Sequence, residues 1–183
     1  PKSESLVENE INSVLINFPK KEVKVSFSKR FLIIDHSKLD ILLSDMARAA
    51  GVSIVLNHKV SEIPKGFDRI IGCDGAESHI RKLLMEKEPD LRLGIQGFVK
   101  GGLKEDFVSA WPCKNGFLWK IPRKDNIEYG VITDLNNAHR IFSNFIKKNN
   151  IPIKEVKAKI ISQGLIIPKN PSIDSGRVQI TLC

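Results

Sequence analysis

The stretch from Ile70 to Arg81 constrains the fold of this chain more than any other part of the sequence. It reads Ile-Ile-Gly-Cys-Asp-Gly-Ala-Glu-Ser-His-Ile-Arg. The small and apolar residues up to Cys73 are typical of a strand that is covered on both faces, and Asp74-Gly75 is a turn pair in which glycine permits a positive φ. A helix is expected to begin two or three residues after this pair. The stretch therefore predicts a strand, a tight turn and a helix in direct succession.

This predicted turn has a chemical consequence. At the end of such a strand, a short carboxylate can reach a ribose hydroxyl, and free amides at the start of a helix can meet a phosphate. Asp74 is the candidate acceptor for the sugar, and Arg81 is a candidate charged support. A plain turn in which Ser78 is only a helix N-cap would explain the same residues. On these residues alone, both interpretations stay open.

The pattern of Gly72, Asp74, Gly75, Ser78 and Arg81 resembles the GxDGxxSxxR segment of flavoprotein hydroxylases and their relatives, including the geranylgeranyl reductase family. In that family the segment lies against FAD, with the Asp near the ribose and the Arg holding the Asp or nearby phosphate groups. The resemblance therefore implies FAD as the cofactor. It also implies that Asp74, Gly75, Ser78 and Arg81 contribute to the binding of FAD.

A second segment, residues 33–43, looks like the V-D-R-x-x-F-D-x-x-L segment of the same family, whose Arg approaches the flavin. In this chain His36 occupies the Arg position and Leu39 the Phe position. The resemblance implies that His36 lies at the flavin. A surface histidine at the start of a helix is the alternative, although its intrinsic pKa would allow proton chemistry.

A third segment, Gly116–Pro122, reads Gly-Phe-Leu-Trp-Lys-Ile-Pro and is similar to the G-Y-x-W-x-F-P motif of the reductases. Period-two spacing puts Phe117, Trp119 and Ile121 on one face of a strand. Such an aromatic face can wall a pocket for an isoprenoid chain, or it can simply pack in a sheet. With the resemblance, Phe117, Trp119, Ile121 and Pro122 are the candidate substrate-binding residues.

Hydrophobic spacing also predicts the elements of the first half of the chain. Residues 1–9 are expected to be loose. Strands are predicted at residues 11–18, 22–27, 30–35, 52–56 and 69–73. The first two pair as a hairpin, the apolar residues of the third are too continuous for an exposed face, and the last two pair in parallel. A helix runs between Ser37, the expected N-cap, and Gly51, which closes it.

From residue 93 onward, the spacing becomes that of an antiparallel sheet. Strands are predicted at residues 94–100, 107–111, 116–121, 127–133, 156–167 and 176–183. A helix capped by Asn136 or Asn137 extends to Asn149. Its inward residues are expected to be Ile141, Phe142, Phe145 and Ile146. Residues 168–175 are expected to form a loop.

Together these elements predict an α/β (α+β) fold, with a partial FAD/NAD(P)-binding, Rossmann-like layer and an antiparallel-sheet substrate domain. The expected division is a partial FAD-binding domain at residues 1–91, a substrate domain at 92–175 and a returning strand at 176–183. The sequence contains no GxGxxG, the turn that holds pyrophosphate in Rossmann-type domains. The resemblance therefore implies an internal fragment that lacks the N-terminal GxGxxG and the C-terminal Gly-Asp motif.

Composition excludes several classes of protein. The chain has 183 residues, of which 42% are hydrophobic and 27% charged, as in a globular protein. No apolar run approaches the roughly 20 residues needed to span a bilayer, so a cytoplasmic location is expected, with peripheral membrane contact as a further expectation. The three cysteines form no CxxC pair, which indicates neither a metal site nor a disulfide framework. The net charge of +8 comes mostly from dispersed lysines, which favours a solvated surface over a nucleic-acid partner.

The sequence thus predicts part of an FAD-dependent oxidoreductase that resembles the geranylgeranyl reductases and reduces double bonds in an isoprenoid or lipid-like substrate. NAD(P)H or ferredoxin is the implied reductant. This fragment alone is expected to be inactive, to bind FAD weakly or not at all, and to self-associate. A flavin-dependent aromatic hydroxylase (monooxygenase) is the alternative enzyme, and a basic non-enzymatic binding module is the alternative of another class. No catalytic acid or base can be named from the sequence.

Overall fold

The computed structural model describes residues 6–102, 104–162, 172–174 and 179–182. The strands in these residues are β1 (Val7–Phe18), β2 (Lys21–Ile34), β3 (Arg69–Gly72), β4 (Leu91–Lys100), β5 (Phe107–Cys113), β6 (Gly116–Pro122), β7 (Asn126–Thr133), β8 (Val156–Ser162), β9 (Ser172–Asp174) and β10 (Gln179–Leu182). The helices are α1 (His36–Ala49), α2 (His79–Leu83) and α3 (Ala138–Lys148). The predicted mixed α/β class is confirmed.

Seven of these strands form one sheet in the order β2-β1-β5-β6-β7-β4-β8. The predicted antiparallel sheet is confirmed, because β5, β6, β7, β4 and β8 pair antiparallel with one another in that order. The hairpin of β1 and β2 joins the same sheet, since β1 pairs in parallel with β5. The sheet therefore takes strands from both sides of the boundary expected at Leu91, and the division into domains stays a prediction.

Helix α3 covers one face of this sheet and closes the main core. The buried residues of that core are Ile95, Leu118, Val131, Ala138 and Phe142. Around them pack further apolar side chains, and the rings of Trp111 and Phe145 meet with their centroids 5.0 Å apart. The predicted inward face of the helix is confirmed. Burial of these side chains is the main source of stability on this face of the sheet.

The ends of the long helices only partly follow the prediction. Asp35, not Ser37, is the N-cap of α1, because its Oδ1 accepts the backbone N–H groups of Ser37 at 3.0 Å and Lys38 at 3.2 Å. Gly51 closes α1 as predicted, with a φ of +86°. Asn137 is the N-cap residue of α3, but its side chain makes no capping hydrogen bond.

Strand β2 differs from its prediction in length and in burial. Residues 22–27 and 30–35, predicted as two strands, form one strand with a register shift against β1. Phe31 and Leu32 were expected to be buried, yet they are 56% and 54% exposed. The prediction is wrong because β2 is the edge of the sheet, and no described element covers it there. Residues 7–9, expected to be loose, belong to β1; residues 1–5 lie outside the described part.

The second sheet has the order β3-β10-β9. Residues 52–56, predicted as a buried strand beside β3, form no strand, and Val55 and Leu56 are each 70% exposed. Strand β10 pairs in parallel with β3 in their place. The prediction failed because an apolar run does not encode which strand will be its neighbour. Strand β9 lies within residues 168–175, predicted as a loop. Residues 163–171, 175–178 and 183 of the predicted C-terminal elements lie outside the described residues.

Candidate functional site

Two side chains hold together the turn between β3 and α2, residues 73–78, which we call the Asp74 turn. Oδ2 of Asp74 accepts hydrogen bonds from the backbone N–H groups of His79 at 2.6 Å and Ile80 at 3.1 Å. Oγ of Ser78 accepts the N–H of Arg81 at 3.0 Å, so Ser78 caps α2, as the alternative interpretation of the turn expected. The amides at the start of α2 therefore donate to the turn itself, and the expectation that they stand free for a phosphate is wrong.

The same hydrogen bonds fix the charge of Asp74. Partial burial raises the pKa of its carboxyl group, but hydrogen bonds from the Ser78 hydroxyl and from the amides of Ile80 and His79 outweigh this effect and hold the pKa below its usual value. Asp74 is therefore a carboxylate at neutral pH. It is exposed, and Gly75 beside it has a φ of +82°, as the turn requires. The carboxylate keeps acceptor capacity for a sugar hydroxyl, since two oxygens offer about four lone-pair sites.

Arg81 braces the turn, but it does not reach Asp74. Its Nη2 donates to the carbonyl oxygen of Ala76 at 2.5 Å and to Oε2 of Glu88 at 2.8 Å. The side chain is 15% exposed, and its Nε has no hydrogen-bond partner among the described residues. The structure thus places Arg81 behind the turn, where Glu88 balances its charge.

A cleft of about 680 Å³ lies between the Asp74 turn and the edge of the large sheet. Residues 73–77 form one wall, and Leu93 of β4 with residues 158–160 of β8 form the other. The second wall carries Lys159, a cation, and the first carries the Asp74 carboxylate. A group that bears both sugar hydroxyls and a phosphate would meet an acceptor and a cation here.

His36 is the first residue of α1, and its side chain is exposed. It does not belong to the residues that line the cleft. Its neighbour Asp35 is occupied as the helix cap. A contact between His36 and the flavin stays a prediction.

On β6, the predicted aromatic face is present. The rings of Phe117 and Trp119 lie side by side, with centroids 6.0 Å apart and an interplanar angle of 54°. Phe117 is 47% exposed, and Trp119 and Ile121 are half-buried. Alternation along the strand puts Pro122 on the opposite face, where it is fully buried. We call the side of β6 and β7 that carries Phe117, Trp119 and Ile121 the Trp119 face; Pro122 is not part of it.

Lys159, one of the residues that line the cleft, projects to the same side of the sheet as the Trp119 face. Lys159 pairs with Gly94, Gly94 pairs with Ile132, and Ile132 pairs with Phe117. Directly paired residues of antiparallel strands project to the same face. One row across the sheet therefore runs from Lys159 to the ring of Phe117. The other sheet residues that line the cleft, Leu93, Ala158 and Ile160, project to the face that α3 covers.

Sequence reasoning missed a buried charged cluster beside these rings. Oε1 of Glu128 accepts the indole Nε1–H of Trp119 at 2.9 Å, and its Oε2 accepts Nε and Nη2 of Arg123 at 2.8 and 2.6 Å. Nη1 of Arg123 continues to Oε2 of Glu8 at 2.5 Å and to the carbonyl oxygen of Ile34 at 3.2 Å. A single carboxylate in the otherwise apolar run of β7 was the signal that could have revealed this cluster.

Arg123 keeps its positive charge in this cluster. Burial lowers the pKa of its guanidinium, but hydrogen bonds and charge interactions with Glu8 and Glu128 raise it by more, so the pKa lies above its usual value. The guanidinium also lies 6.0 Å from the centre of the Phe98 ring. Arg123 therefore remains a cation at every pH at which the protein is folded.

Among the described residues, no group of His, Cys, Asp and Glu side chains is arranged to hold a metal ion. Cys73 and Cys113 form no disulfide. Within the same residues, no helix is both long and apolar enough to cross a membrane.

Neither a protein-family model nor a curated protein sequence matches the chain. Solved structures do match its fold. A geranylgeranyl bacteriochlorophyll reductase-like protein from Thermoplasma acidophilum matches with a TM-score of 0.71 and 17% identity, over 97% of this chain and 55% of that one. A variant of a flavin-dependent brominase gives a TM-score of 0.69 at 11% identity, over 96% and 56% of the two chains.

A tryptophan 6-halogenase from Streptomyces toxytricini matches with a TM-score of 0.64 and 11% identity, over 97% of this chain and 52% of that one. The chain thus spans about half the length of the solved structures that it matches. At these identities the likeness establishes the fold: this chain shares the fold of a reductase-like protein and of flavin-dependent halogenases. The likeness in fold that the sequence motifs predicted is confirmed.

Proposed function

We propose that the chain is part of an FAD-dependent oxidoreductase that reduces double bonds of an isoprenoid substrate. The observation that carries this proposal is the Trp119 face, an exposed aromatic surface in register with Lys159, which lines the cleft. It occurs in a fold shared with a geranylgeranyl reductase-like protein and with flavin-dependent enzymes. An apolar chain can therefore lie on the face to which Lys159 projects, and a phosphorylated cofactor can lie in the cleft that Lys159 lines.

The residues around the cleft fit a part of FAD. The ionised Asp74 can accept hydrogen bonds from ribose hydroxyls, and Lys159 on the opposite wall can pair with a phosphate. Side chains would hold these groups, because the amides at the start of α2 are already bonded within the turn. Bound FAD would supply the hydride transfer to the alkene, since redox chemistry of this kind belongs to the cofactor.

The role of the protein is then to bind and orient the alkene. Phe117 and Trp119 offer ring surface to an apolar chain, and contact with that surface removes water from around the alkene. Holding an alkene next to a reacting group replaces a random encounter with a fixed geometry, which is a large part of the catalytic effect in such reactions. We assign no proton donor.

The complete protein provides the test. Purified protein should carry a flavin absorbance band near about 450 nm. Under anaerobic conditions with a chemical reductant, mass spectrometry should show a geranylgeranyl compound gaining two hydrogens per reduced double bond. Trp119→Ala should lower kcat/KM for this long substrate while flavin content is retained. A flavoprotein that leaves every isoprenoid unreduced would contradict the proposal.

A flavin-dependent aromatic hydroxylase is the second candidate, and one observation favours it. The rings of Phe117 and Trp119 offer stacking surface to an aromatic substrate as well as to an isoprenoid chain. Substrate-dependent uptake of oxygen with formation of a hydroxylated product would establish this function. If the purified complete protein contains no flavin, the basic non-enzymatic binding module becomes the better interpretation.

A further inference from the structure

We propose that Glu128 and Arg123 are positioning residues that hold the indole of Trp119 against the sheet, so that it forms a fixed wall of the substrate pocket. The part that concerns substrate rests on the proposed function, whereas the part that concerns the indole stands on geometry alone. Neither residue belongs to the motifs that pointed to the site.

Gly130 provides the space in which the indole lies. Gly130 pairs directly with Trp119 across β6 and β7. A Cβ atom at Gly130 would lie 2.1 Å from Cζ2 and 2.4 Å from Cε2 of the indole. Real carbon atoms do not approach so closely, so the ring lies against the backbone in a place that only glycine leaves free.

One hydrogen bond fixes the orientation of the ring. The indole has one donor, Nε1–H, which meets Oε1 of Glu128 at 2.9 Å. With its benzene ring on Gly130 and its N–H on Glu128, the indole is held at two points. Rotation about the Cα–Cβ bond would break both contacts. These two contacts therefore restrict the rotation of the Trp119 side chain more than half-burial on a strand alone would.

Glu128 can serve as a fixed acceptor because its buried charge is compensated. The side chain of Glu128 is 6% exposed, and burying an unpaired carboxylate is costly. Arg123 compensates with two charge-assisted hydrogen bonds, from its Nε and Nη2, that both go to the other oxygen. Glu8 and the carbonyl oxygen of Ile34 in turn fix Arg123. The position of the indole is thus set by a chain of contacts that reaches β1 and the end of β2.

The ion pair between Lys120 and Glu105 provides a matched control. It lies on the opposite face of β6, and its side chains are 16% and 24% exposed, close to the 16% of Arg123. Its removal should cost a similar amount of stability but should leave the indole of Trp119 in place. Glu105→Gln therefore separates general loosening of the sheet from loss of positioning.

The test uses the chain in a Trp111→Phe background, which leaves Trp119 as the single tryptophan. Exchange of the indole N–H with solvent is followed by NMR in the parent, in Glu128→Gln, Glu128→Leu and Arg123→Met, and in the control Glu105→Gln. Because the lost hydrogen bond has a charged acceptor, Glu128→Leu should speed exchange by about tenfold or more. Glu128→Gln and Arg123→Met should give smaller increases, and Glu105→Gln should match the parent.

In the complete protein, Glu128→Gln should raise the KM for a long isoprenoid by about tenfold and leave kcat within about twofold, as expected for a wall that binds ground state and transition state alike. Unchanged indole exchange in folded Glu128→Gln and Arg123→Met would overturn the inference, and so would equal acceleration by Glu105→Gln. If Glu128→Leu does not fold, the other two variants decide. Accelerated exchange without any isoprenoid reduction would reject the proposed function and still support the positioning role.

Discussion

The two faces of the seven-stranded sheet show what a covering helix does to residues of the same strand. On β6, Leu118 points to α3 and is 6% exposed, whereas its neighbour Phe117 points the other way and is 47% exposed. The first face is sealed by α3 and packed with aliphatic and aromatic side chains. The second face has no such cover in the described part of the chain, and its aromatic rings remain accessible.

The buried ion pairs on the two faces also differ, in the number of groups that each carboxylate serves. Toward α3, Lys120 and Glu105 form a simple pair, in which one ammonium group lies 2.8 Å from both carboxylate oxygens. On the other face, Glu128 is shared between a guanidinium and an indole. One strand can therefore contribute buried core side chains on one face and an accessible aromatic surface bordered by charged groups on the other.

The largest expected effect is on the covered face. Phe142→Ala removes a ring that is 3% exposed and leaves a cavity, so it should lower the free energy of unfolding by about 3–5 kcal/mol. Phe117→Ala, on the open face, should cost about 1 kcal/mol, because almost half of that side chain is already in water. Chemical denaturation of both variants measures the difference. Equal losses would mean that the two faces do not differ as described.

Gly130→Ala should have the next largest effect. Its new Cβ would collide with the indole of Trp119 and lie 2.7 Å from the carbonyl oxygen of Ile95, so overpacking should cost about 1–3 kcal/mol. Gly94→Ala is the matched control, since its Cβ would meet nothing closer than 3.6 Å. In a double-mutant cycle, Trp119→Ala should recover part of the loss at Gly130. A cycle without coupling would show that the two residues do not press on each other.

Asp74→Ala should lower stability by about 1 kcal/mol, the scale of a lost helix cap, and weaken FAD binding to the complete protein by about 1–3 kcal/mol. The larger effect on binding would mark the Asp74 turn as part of a ligand-binding site. Flavin affinity is read from a fluorescence titration. An unchanged affinity would remove Asp74 from the cofactor site.

The hydrogen bonds to Asp74 should also make the stability of the folded chain depend on pH. The pKa of Asp74 is lower in the folded chain than in the unfolded one, so its contribution is present above the unfolded pKa and is lost as the pH falls through the folded pKa. Between pH 5 and 2, the stability of the parent should therefore fall more steeply than that of Asp74→Asn. Parallel curves from thermal unfolding would contradict the assignment of these hydrogen bonds.

Lys148→Ala should have the smallest effect, below about 0.5 kcal/mol. Lys148 lies at the end of α3 on its exposed side, away from the residues that pack on the sheet. The variant sharpens the comparison, because it shows that only the inward side of α3 supports the covered face. Thermal unfolding in parallel with Phe142→Ala measures it.

Local patterns in the sequence were enough to predict the covered face. Helix α3 and strands β4 to β7 follow directly from the spacing of apolar residues, because that spacing depends only on the geometry of each element. The turn around Asp74 and the rings on β6 were likewise readable from short motifs. The hydrogen-bond partners of Asp74 were less accessible, since the same oxygen can serve the helix or a ligand.

Contacts between distant segments were not predictable in this way. The pairing of β3 with β10, and that of β1 with β5, depend on the whole arrangement of strands and leave no mark in either segment alone. The same is true of Arg123, whose partners Glu8 and Ile34 lie in other strands. A charged residue in an apolar strand signals that a partner exists, but it does not say which residue that partner is.

The parallel pairing of β1 with β5 also has a consequence for the order in which the chain folds. Asn12 and Asp106, which bond at one end of this seam, are 94 positions apart, whereas β5, β6 and β7 are joined by short turns. Closing a long loop has to precede any gain from its contacts, so high contact order slows folding. We expect the meander of β5 to β7 with α3 to form first and the β1–β2 hairpin to dock last. Glu8, which anchors Arg123, arrives with that hairpin, so the indole of Trp119 acquires its final restraint only in the last step of folding.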